Sequence, residues 1–140
     1  MKLLSTFIGA IMVTTAAAAT FKTPEEARQH VDKAMNAVAT TGLSAGLRTI
    51  KEYSVVPTAE FDAMLGQAEL QFPAISQRFG RCIGTEFIRE EKAGEFLRQF
   101  VYIQRFEKHA MRWAFLLYRG ADGWSINTFT FDDKLVNIFQ

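Results

Sequence analysis

Hydrophobic spacing changes at Gly80, and this change limits the chain to a small set of folds. Before Gly80, apolar residues recur at intervals of three and four, which is typical of amphipathic helices. After Gly80, apolar and polar residues alternate, which is typical of strands in a sheet with one buried face. Helices followed by strands predict an α+β fold in which N-terminal helices pack on a curved antiparallel sheet.

Three helices are predicted before Gly80. Thr23, Pro24 and Glu26 together form a helix start with a capping box, and the helix should end at Gly42. A weaker helical pattern covers residues 43–53. Thr58 is the predicted cap of a third helix, in which Pro73 should produce a kink or break because it lacks an amide donor.

Three turns, at residues 92–94, 107–108 and 120–123, divide the rest of the chain into four strands. The predicted strands cover residues 81–91, 95–106, 109–119 and 124–131. Connections this short require antiparallel neighbours. A two-residue turn at 107–108 places Tyr102 opposite Trp113, and the predicted core face then carries Phe96, Phe100, Tyr102, Met111, Trp113, Phe115 and Leu117.

The opposite face of the predicted sheet is also rich in apolar residues: Leu97, Val101, Ile103, Ala114, Leu116 and Tyr118. A solvated sheet face normally carries fewer. We therefore expect this second face to be covered by a protein partner, and a second copy of the chain is the favoured partner. The expected contact residues of such a homodimer are Val101, Ile103, Leu116 and Tyr118.

Residues 1–19 have the order of a cleavable signal peptide: Lys2, an apolar run, and a final stretch of alanines. The apolar run is shorter than the roughly 20 residues of a membrane-spanning helix, so no membrane anchor is expected. Residues 20–140 then form one domain, exported to a bacterial periplasm or secreted. Its lone cysteine, Cys82, rules out an internal disulfide.

The net charge of the exported domain excludes one class of partner. Cleavage after residue 19 removes one of the 16 basic residues, Lys2, and none of the 15 acidic residues, which leaves 15 of each. A domain of zero net charge lacks the basic surface that attracts phosphates, so nucleic acid is not an expected partner.

Stretches within the mature chain resemble small exported bacterial proteins of the nuclear transport factor 2-like superfamily, a cystatin-like group that includes ketosteroid isomerase relatives. The similar stretches cover residues 78–80, 84–91, 102–110, 112–113 and 123–124. The resemblance implies a cone-shaped domain whose curved sheet wraps around helices and leaves a pocket. It also implies a tendency to dimerise through the open sheet face. It implies no activity, because the superfamily includes enzymes, transport factors and proteins with neither role.

The residues that could serve such a pocket are few. Tyr102 and Trp113 lie on the predicted core face, and Glu86 and Arg98 join them if residues 92–94 form a three-residue turn. These four are the predicted ligand-binding residues. The alternative interpretation is a packed tyrosine beside a structural glutamate–arginine pair. No catalytic residue is predicted, and neither His30 nor His109 has a second ligand at metal-binding spacing, so no metal or cofactor is expected.

We therefore expect a non-catalytic domain that binds a small apolar ligand in its cone, or a protein partner through its cone or sheet face. The alternative is a small isomerase or hydrolase that uses the cone as its active site. The two hypotheses differ in whether Glu86, Arg98 and Tyr102 converge on one cavity.

Overall fold

The computed structural model describes residues 18–139. Three helices are followed by four strands and a C-terminal 3-10 helix; they are α1 (Pro24–Thr40), α2 (Leu43–Lys51), α3 (Thr58–Phe79), β1 (Cys82–Ala93), β2 (Leu97–Phe106), β3 (Ala110–Arg119), β4 (Trp124–Asp132) and the 3-10 helix Leu135–Phe139. The predicted signal peptide lies outside the described residues apart from Ala18 and Ala19. The predicted α+β fold is confirmed.

The four strands form one antiparallel sheet in the order β1-β2-β3-β4. The register between β2 and β3 is the predicted one: Tyr102 faces Trp113, and the Phe106 amide donates to the carbonyl of His109 at 2.8 Å. A two-residue turn allows little choice of register, and for this reason the register of β2 and β3 could be predicted from the sequence.

The helices cover the predicted core face of the sheet. Phe100, Tyr102, Trp113, Phe115 and Leu117 are buried there and join α1, α2 and α3 in one hydrophobic core. Phe96 was wrongly included in this face. It lies in the turn before β2 and is exposed, because the turn occupies residues 94–96.

The predicted capping box at the start of α1 is present in a shifted form, in which Glu26 accepts from the amide of Lys22 and not from that of the cap residue Thr23. Thr23 Oγ1 accepts a hydrogen bond from the amide of Glu26 at 3.1 Å, and Glu26 Oε2 accepts one from the amide of Lys22 at 3.0 Å. At α3 the prediction was wrong. Thr58 is the first helical residue, and no side chain caps the helix.

At Pro73 the sequence predicts a kink or a break, and of these two the break is absent, because α3 continues through that residue from Thr58 to Phe79. A proline removes only one main-chain hydrogen bond, and a helix of 22 residues retains the others on both sides.

The turn between β1 and β2 differs from the prediction and changes the register of β1. Ala93 pairs with Leu97, so the turn begins rather than ends at Gly94, whose φ of 61° lies in the left-handed region that glycine tolerates. Two irregularities in β1, between Cys82 and Gly84 and between Phe87 and Arg89, shift the pairing further.

The outer edge of β4 pairs with two other segments of the chain, but only along its first three residues. Phe21 and Trp124 exchange two main-chain hydrogen bonds of 2.8 Å each. Ile126 accepts one from the amide of Val55 at 3.1 Å and donates one to the carbonyl of Tyr53 at 2.8 Å. Within residues 18–139, no further segment pairs with this edge beyond Ile126.

The C-terminal 3-10 helix lies on the second face of the sheet. It follows Asp132, which forms an ion pair of 2.8 Å with Arg112 on that face. Its Ile138 carbonyl accepts a hydrogen bond from Arg89, whose neighbour across the sheet is Val101. The segment therefore crosses from β4 toward β1.

This segment explains the burial of part of the second face. Val101 is 3 % exposed and Ala114 is buried, although neither belongs to the core under the helices. Val101, one of the four expected dimer-contact residues, is therefore already buried within a single copy of the chain. Ile103 and Leu116 are half-buried, and Tyr118 is 46 % exposed.

Candidate functional site

Trp113, one of the four predicted ligand-binding residues, is buried in the core. Its ring is stacked on Phe131 with centroids 4.6 Å apart, and its Nε1 donates to Oε1 of the buried Gln104 at 3.1 Å. Because a buried indole N–H needs an acceptor, Gln104 satisfies the polar group of an otherwise apolar side chain. Trp113 therefore supports the wall of the core, with Phe131 between it and the nearest opening.

Tyr102 is buried as well, and its hydroxyl has a partner that the sequence analysis missed. The hydroxyl donates to Asp32 Oδ1 at 2.5 Å, and Arg28 Nε donates to the same oxygen at 3.0 Å. The Arg28 guanidinium lies 3.1 Å from the centre of the Phe87 ring, a close cation–π contact. The four-residue spacing of Arg28 and Asp32 indicates a helical ion pair, but no pattern in the sequence connects that pair to Tyr102.

The surroundings of Tyr102 keep its hydroxyl protonated. Burial, together with the hydrogen bond and the negative charge of Asp32, raises the pKa of Tyr102 far above its ordinary value. A hydroxyl held in this way is a hydrogen-bond donor to Asp32, and its proton is not available to a substrate. The geometry agrees with the alternative interpretation of a packed, structural tyrosine, although its partners are Asp32 and Arg28.

Glu86 and Arg98 do not join Tyr102. The observed register of β1 places Glu86 opposite Ile103, on the second face of the sheet, where its side chain is exposed. The displaced turn alone would leave Glu86 on the core face, because it shifts the partners in β2 by an even number of residues. The irregularity between Phe87 and Arg89 adds one residue to β1, and this single extra residue turns Glu86 to the wrong side for the predicted pocket. Arg98 is on the core face, but its guanidinium lies 5.2 Å from the Trp124 ring and its Nε 3.8 Å from Glu90.

An apolar groove lies elsewhere, between α3 and the outer edge of β4. Its volume is about 280 Å³, just below the range of about 300–1,000 Å³ that is usual for small-molecule pockets. Phe61, Met64 and Leu65 of α3 form one wall, and Phe129 and Phe131 of β4 form the other. None of the lining residues carries a charge.

A second cavity of about 270 Å³ adjoins the groove and shares Gln71 and Phe131 with it. Its lining includes the apolar residues Ile75 and Phe79 and the charged residues Arg78 and Asp133. The two cavities lie side by side along α3 and the C-terminal half of β4. An elongated apolar group could therefore extend from the groove toward these charged residues.

A larger cavity, of about 690 Å³, is a weaker candidate. Ala18 and Ala19 belong to its lining, and both are part of the predicted signal peptide. Its Lys51 forms an ion pair of 2.6 Å with Asp62.

The rest of the described structure contains few groups that could carry chemistry. Among residues 18–139, no cluster of histidine, cysteine, aspartate and glutamate is suited to a metal ion. No helix in the same range is both long and apolar enough to cross a membrane. What the geometry offers is an uncharged, aromatic-walled groove beside an open strand edge, and this arrangement can hold an apolar group.

The fold and the groove define a general class: an α+β domain of three helices on a four-stranded antiparallel sheet, with an apolar binding groove. Comparison with known proteins does not narrow this class, because no protein-family model, curated protein or solved structure matches the chain.

Proposed function

We propose that this chain is an exported, non-catalytic binding domain of the nuclear transport factor 2-like type, and that it holds a small apolar ligand in the groove between α3 and β4. The observation that carries the proposal is the lining of that groove, which combines the aromatic rings of Phe61, Phe129 and Phe131 with no charged side chain. Transfer of an apolar group from water into such a groove is favourable, at roughly 25 cal/mol per Å² of apolar surface buried.

Two observations support a binding role over an isomerase- or hydrolase-like role. The Tyr102 hydroxyl is engaged with Asp32, and Glu86 lies on the opposite face of the sheet. The acid and the hydroxyl that an isomerase-like mechanism would need are therefore not close to one cavity.

The proposed location is the periplasm or the exterior of a bacterial cell, after removal of residues 1–19. The sequence of the leader supports export. The position of Phe21 is compatible with cleavage after Ala18 or Ala19. Phe21 is buried, pairs with Trp124 and stacks on Tyr53 with ring centroids 3.9 Å apart. Cleavage there would leave this anchor with the domain.

The binding proposal is tested with the fluorescent probe 1-anilinonaphthalene-8-sulfonate, which combines apolar aromatic rings with one sulfonate group, added to the mature protein. We expect saturable binding of the probe and a change in Trp113 fluorescence, because the Trp113 ring is stacked on groove-lining Phe131. A Trp124→Phe background isolates the Trp113 signal, since the chain has two tryptophans.

A matched pair of variants locates the binding. Met64→Glu places a charge in the groove, whereas Leu70→Glu places it on α3 outside the groove, where Leu70 is 79 % exposed. Probe binding should be lost in the first variant and retained in the second. Equal binding by both variants, or no binding by the wild type, would contradict the proposal. Native mass spectrometry of protein purified from its own periplasm would identify any retained ligand.

A second copy of the chain is the proposed protein partner on the second sheet face. The surface that the C-terminal 3-10 helix leaves open includes Leu97 and Tyr118, which face each other across β2 and β3 and are 37 % and 46 % exposed. Neighbouring apolar side chains of this size favour contact with another protein surface.

A further inference from the structure

The backbone of β4 contains hydrogen-bonding groups that point away from the sheet beside the groove. Trp124 and Ile126 direct their N–H and C=O groups outward, because they bond to Phe21, Tyr53 and Val55 rather than to β3. These groups alternate along a strand. On β3, the N–H and C=O groups of Trp113, Phe115 and Leu117 point to the same side, because these are alternate residues of one strand. Their partners on β4 are Phe131, Phe129 and Ile126, in that order.

The same alternation therefore assigns the outward direction to Phe129 and Phe131. The register irregularity between Leu116 and Leu117 adds one residue to β4 and leaves the alternation on β3 unchanged. Two N–H and two C=O groups consequently point from Phe129 and Phe131 toward the outer edge. Across residues 18–139, no main-chain group from another segment pairs with them.

The groove lies directly beside these groups. Phe129, Thr130 and Phe131 are consecutive members of its lining, although the Thr130 side chain shares the second face with Ala114. The lining therefore follows the strand edge as well as the core face. A segment paired with the edge would direct every second side chain toward the apolar wall formed by Phe61, Met64 and Leu65.

We propose that the occupant of this edge and groove is an extended peptide segment of a partner protein, added as a fifth strand next to β4. This inference rests on the proposed role of the groove in holding apolar groups, and it assigns those groups to the side chains of a peptide instead of a free small molecule. The segment has apolar residues at alternate positions, which enter the groove, while its main chain bonds to Phe129 and Phe131.

The chain itself supplies the precedent for such pairing. Two of its own extended segments, at Phe21 and at Ser54, already pair with the first half of the same edge, one antiparallel and the other parallel. The proposed strand continues this row of pairing from residue 127 to Asp132. A second copy of β4 fits less well. Each copy has α3 beside its groove, so edge-to-edge pairing would bring two helices into one narrow space.

The test is selection of binders from a displayed library of random octapeptides on the mature protein. Enriched peptides should have apolar residues at every second position. A synthetic peptide of the enriched sequence should shift the backbone amide NMR signals of Phe129 and Phe131. Methylation of its edge-facing backbone nitrogens should weaken binding at least about tenfold, because it removes two main-chain hydrogen bonds and leaves the side chains unchanged.

Each outcome distinguishes this inference from the proposed function. If 1-anilinonaphthalene-8-sulfonate binds in the groove but no alternating peptide is enriched, or methylation has no effect, the added strand is refuted and the groove proposal stands. If the Met64→Glu variant still binds both the probe and the peptide, both proposals fail. If the Phe129 and Phe131 amides become protected from hydrogen exchange as protein concentration rises, the edge binds a second copy, and the peptide proposal is overturned.

Discussion

The two glycines in the interiors of α2 and α3 should respond in opposite ways to the same substitution. Gly46 of α2 lies against α1. A Cβ atom at this position would be 2.1 Å from Val38 Cγ2 and 2.8 Å from the carbonyl oxygen of Ala34. Both neighbours are buried, and one of the two contacts is with backbone, so neither can move aside easily. At exposed Gly66 of α3, a Cβ atom would meet nothing within 4 Å.

The magnitudes follow from two effects on the free energy of unfolding. Replacing glycine by alanine inside a helix stabilises by about 1 kcal/mol. Overpacking a tight interior destabilises by about 1–3 kcal/mol, and the overlap at Gly46 is severe enough to exceed the helical gain. We expect Gly46→Ala to destabilise the domain by about 1–2 kcal/mol and Gly66→Ala to stabilise it by about 0.5–1 kcal/mol.

Urea unfolding followed by circular dichroism at 222 nm measures both variants. The two variants should differ by about 1.5–3 kcal/mol, so with a slope of about 1–2 kcal/mol per M their midpoints should lie about 1–3 M apart. If Gly46→Ala is as stable as Gly66→Ala, the close approach of α1 and α2 is refuted. The helical layer under the sheet would then be packed differently.

Three further predictions concern Tyr102, the C-terminal segment and the second sheet face. Tyr102→Phe should cost about 1–1.5 kcal/mol at pH 7. Above about pH 10 the unfolded state releases the tyrosine proton, whereas the folded state retains it. The free energy of unfolding of the wild type should therefore fall by up to ~1.4 kcal/mol per pH unit above that pH. The difference in stability between the wild type and Tyr102→Phe should shrink accordingly. Urea unfolding at pH 7, 9 and 11 checks this, and a constant difference would contradict it. Truncation after Asp133 should expose Val101 and lower stability by about 2 kcal/mol, measured in the same way; an unchanged midpoint would show that the segment covers nothing. Light scattering should report a dimer for the wild type and a monomer for Leu116→Glu/Tyr118→Glu with unchanged circular dichroism, and a wild-type monomer at micromolar concentration would refute self-association.

The two hairpins that share β2 differ in how far their registers could be predicted from the sequence. The β2–β3 turn has two residues, so its length sets the register, and Tyr102 faces Trp113 as expected. The β1–β2 turn could be placed in more than one way around Gly94. Moving the turn to residues 94–96 shifts the partners of β1 by an even number of residues and by itself leaves Glu86 on the core face. The irregularity between Phe87 and Arg89, which no spacing in the sequence predicted, adds one residue to β1 and turns Glu86 to the second face.

The candidate groove was less accessible to sequence analysis than the fold. Phe61, Met64 and Leu65 follow a helical pattern that predicts a core position, and nothing in that pattern shows that Met64 borders an opening. Phe129 and Phe131 lie in a strand pattern, which does not show which edge of the sheet stays open. Their role at a strand edge depends on where other segments stop pairing with β4.

The order of helices and strands, the antiparallel sheet and the pairing of Tyr102 with Trp113 were determined by the sequence alone. Each depends on the spacing of neighbouring residues, and spacing is a local property of the chain. The contact of Tyr102 with Asp32, the cover over Val101 and the open edge at Phe129 and Phe131 were decided by the tertiary structure. All three join or separate segments far apart in the chain, and only the packed domain brings such segments to their final distances.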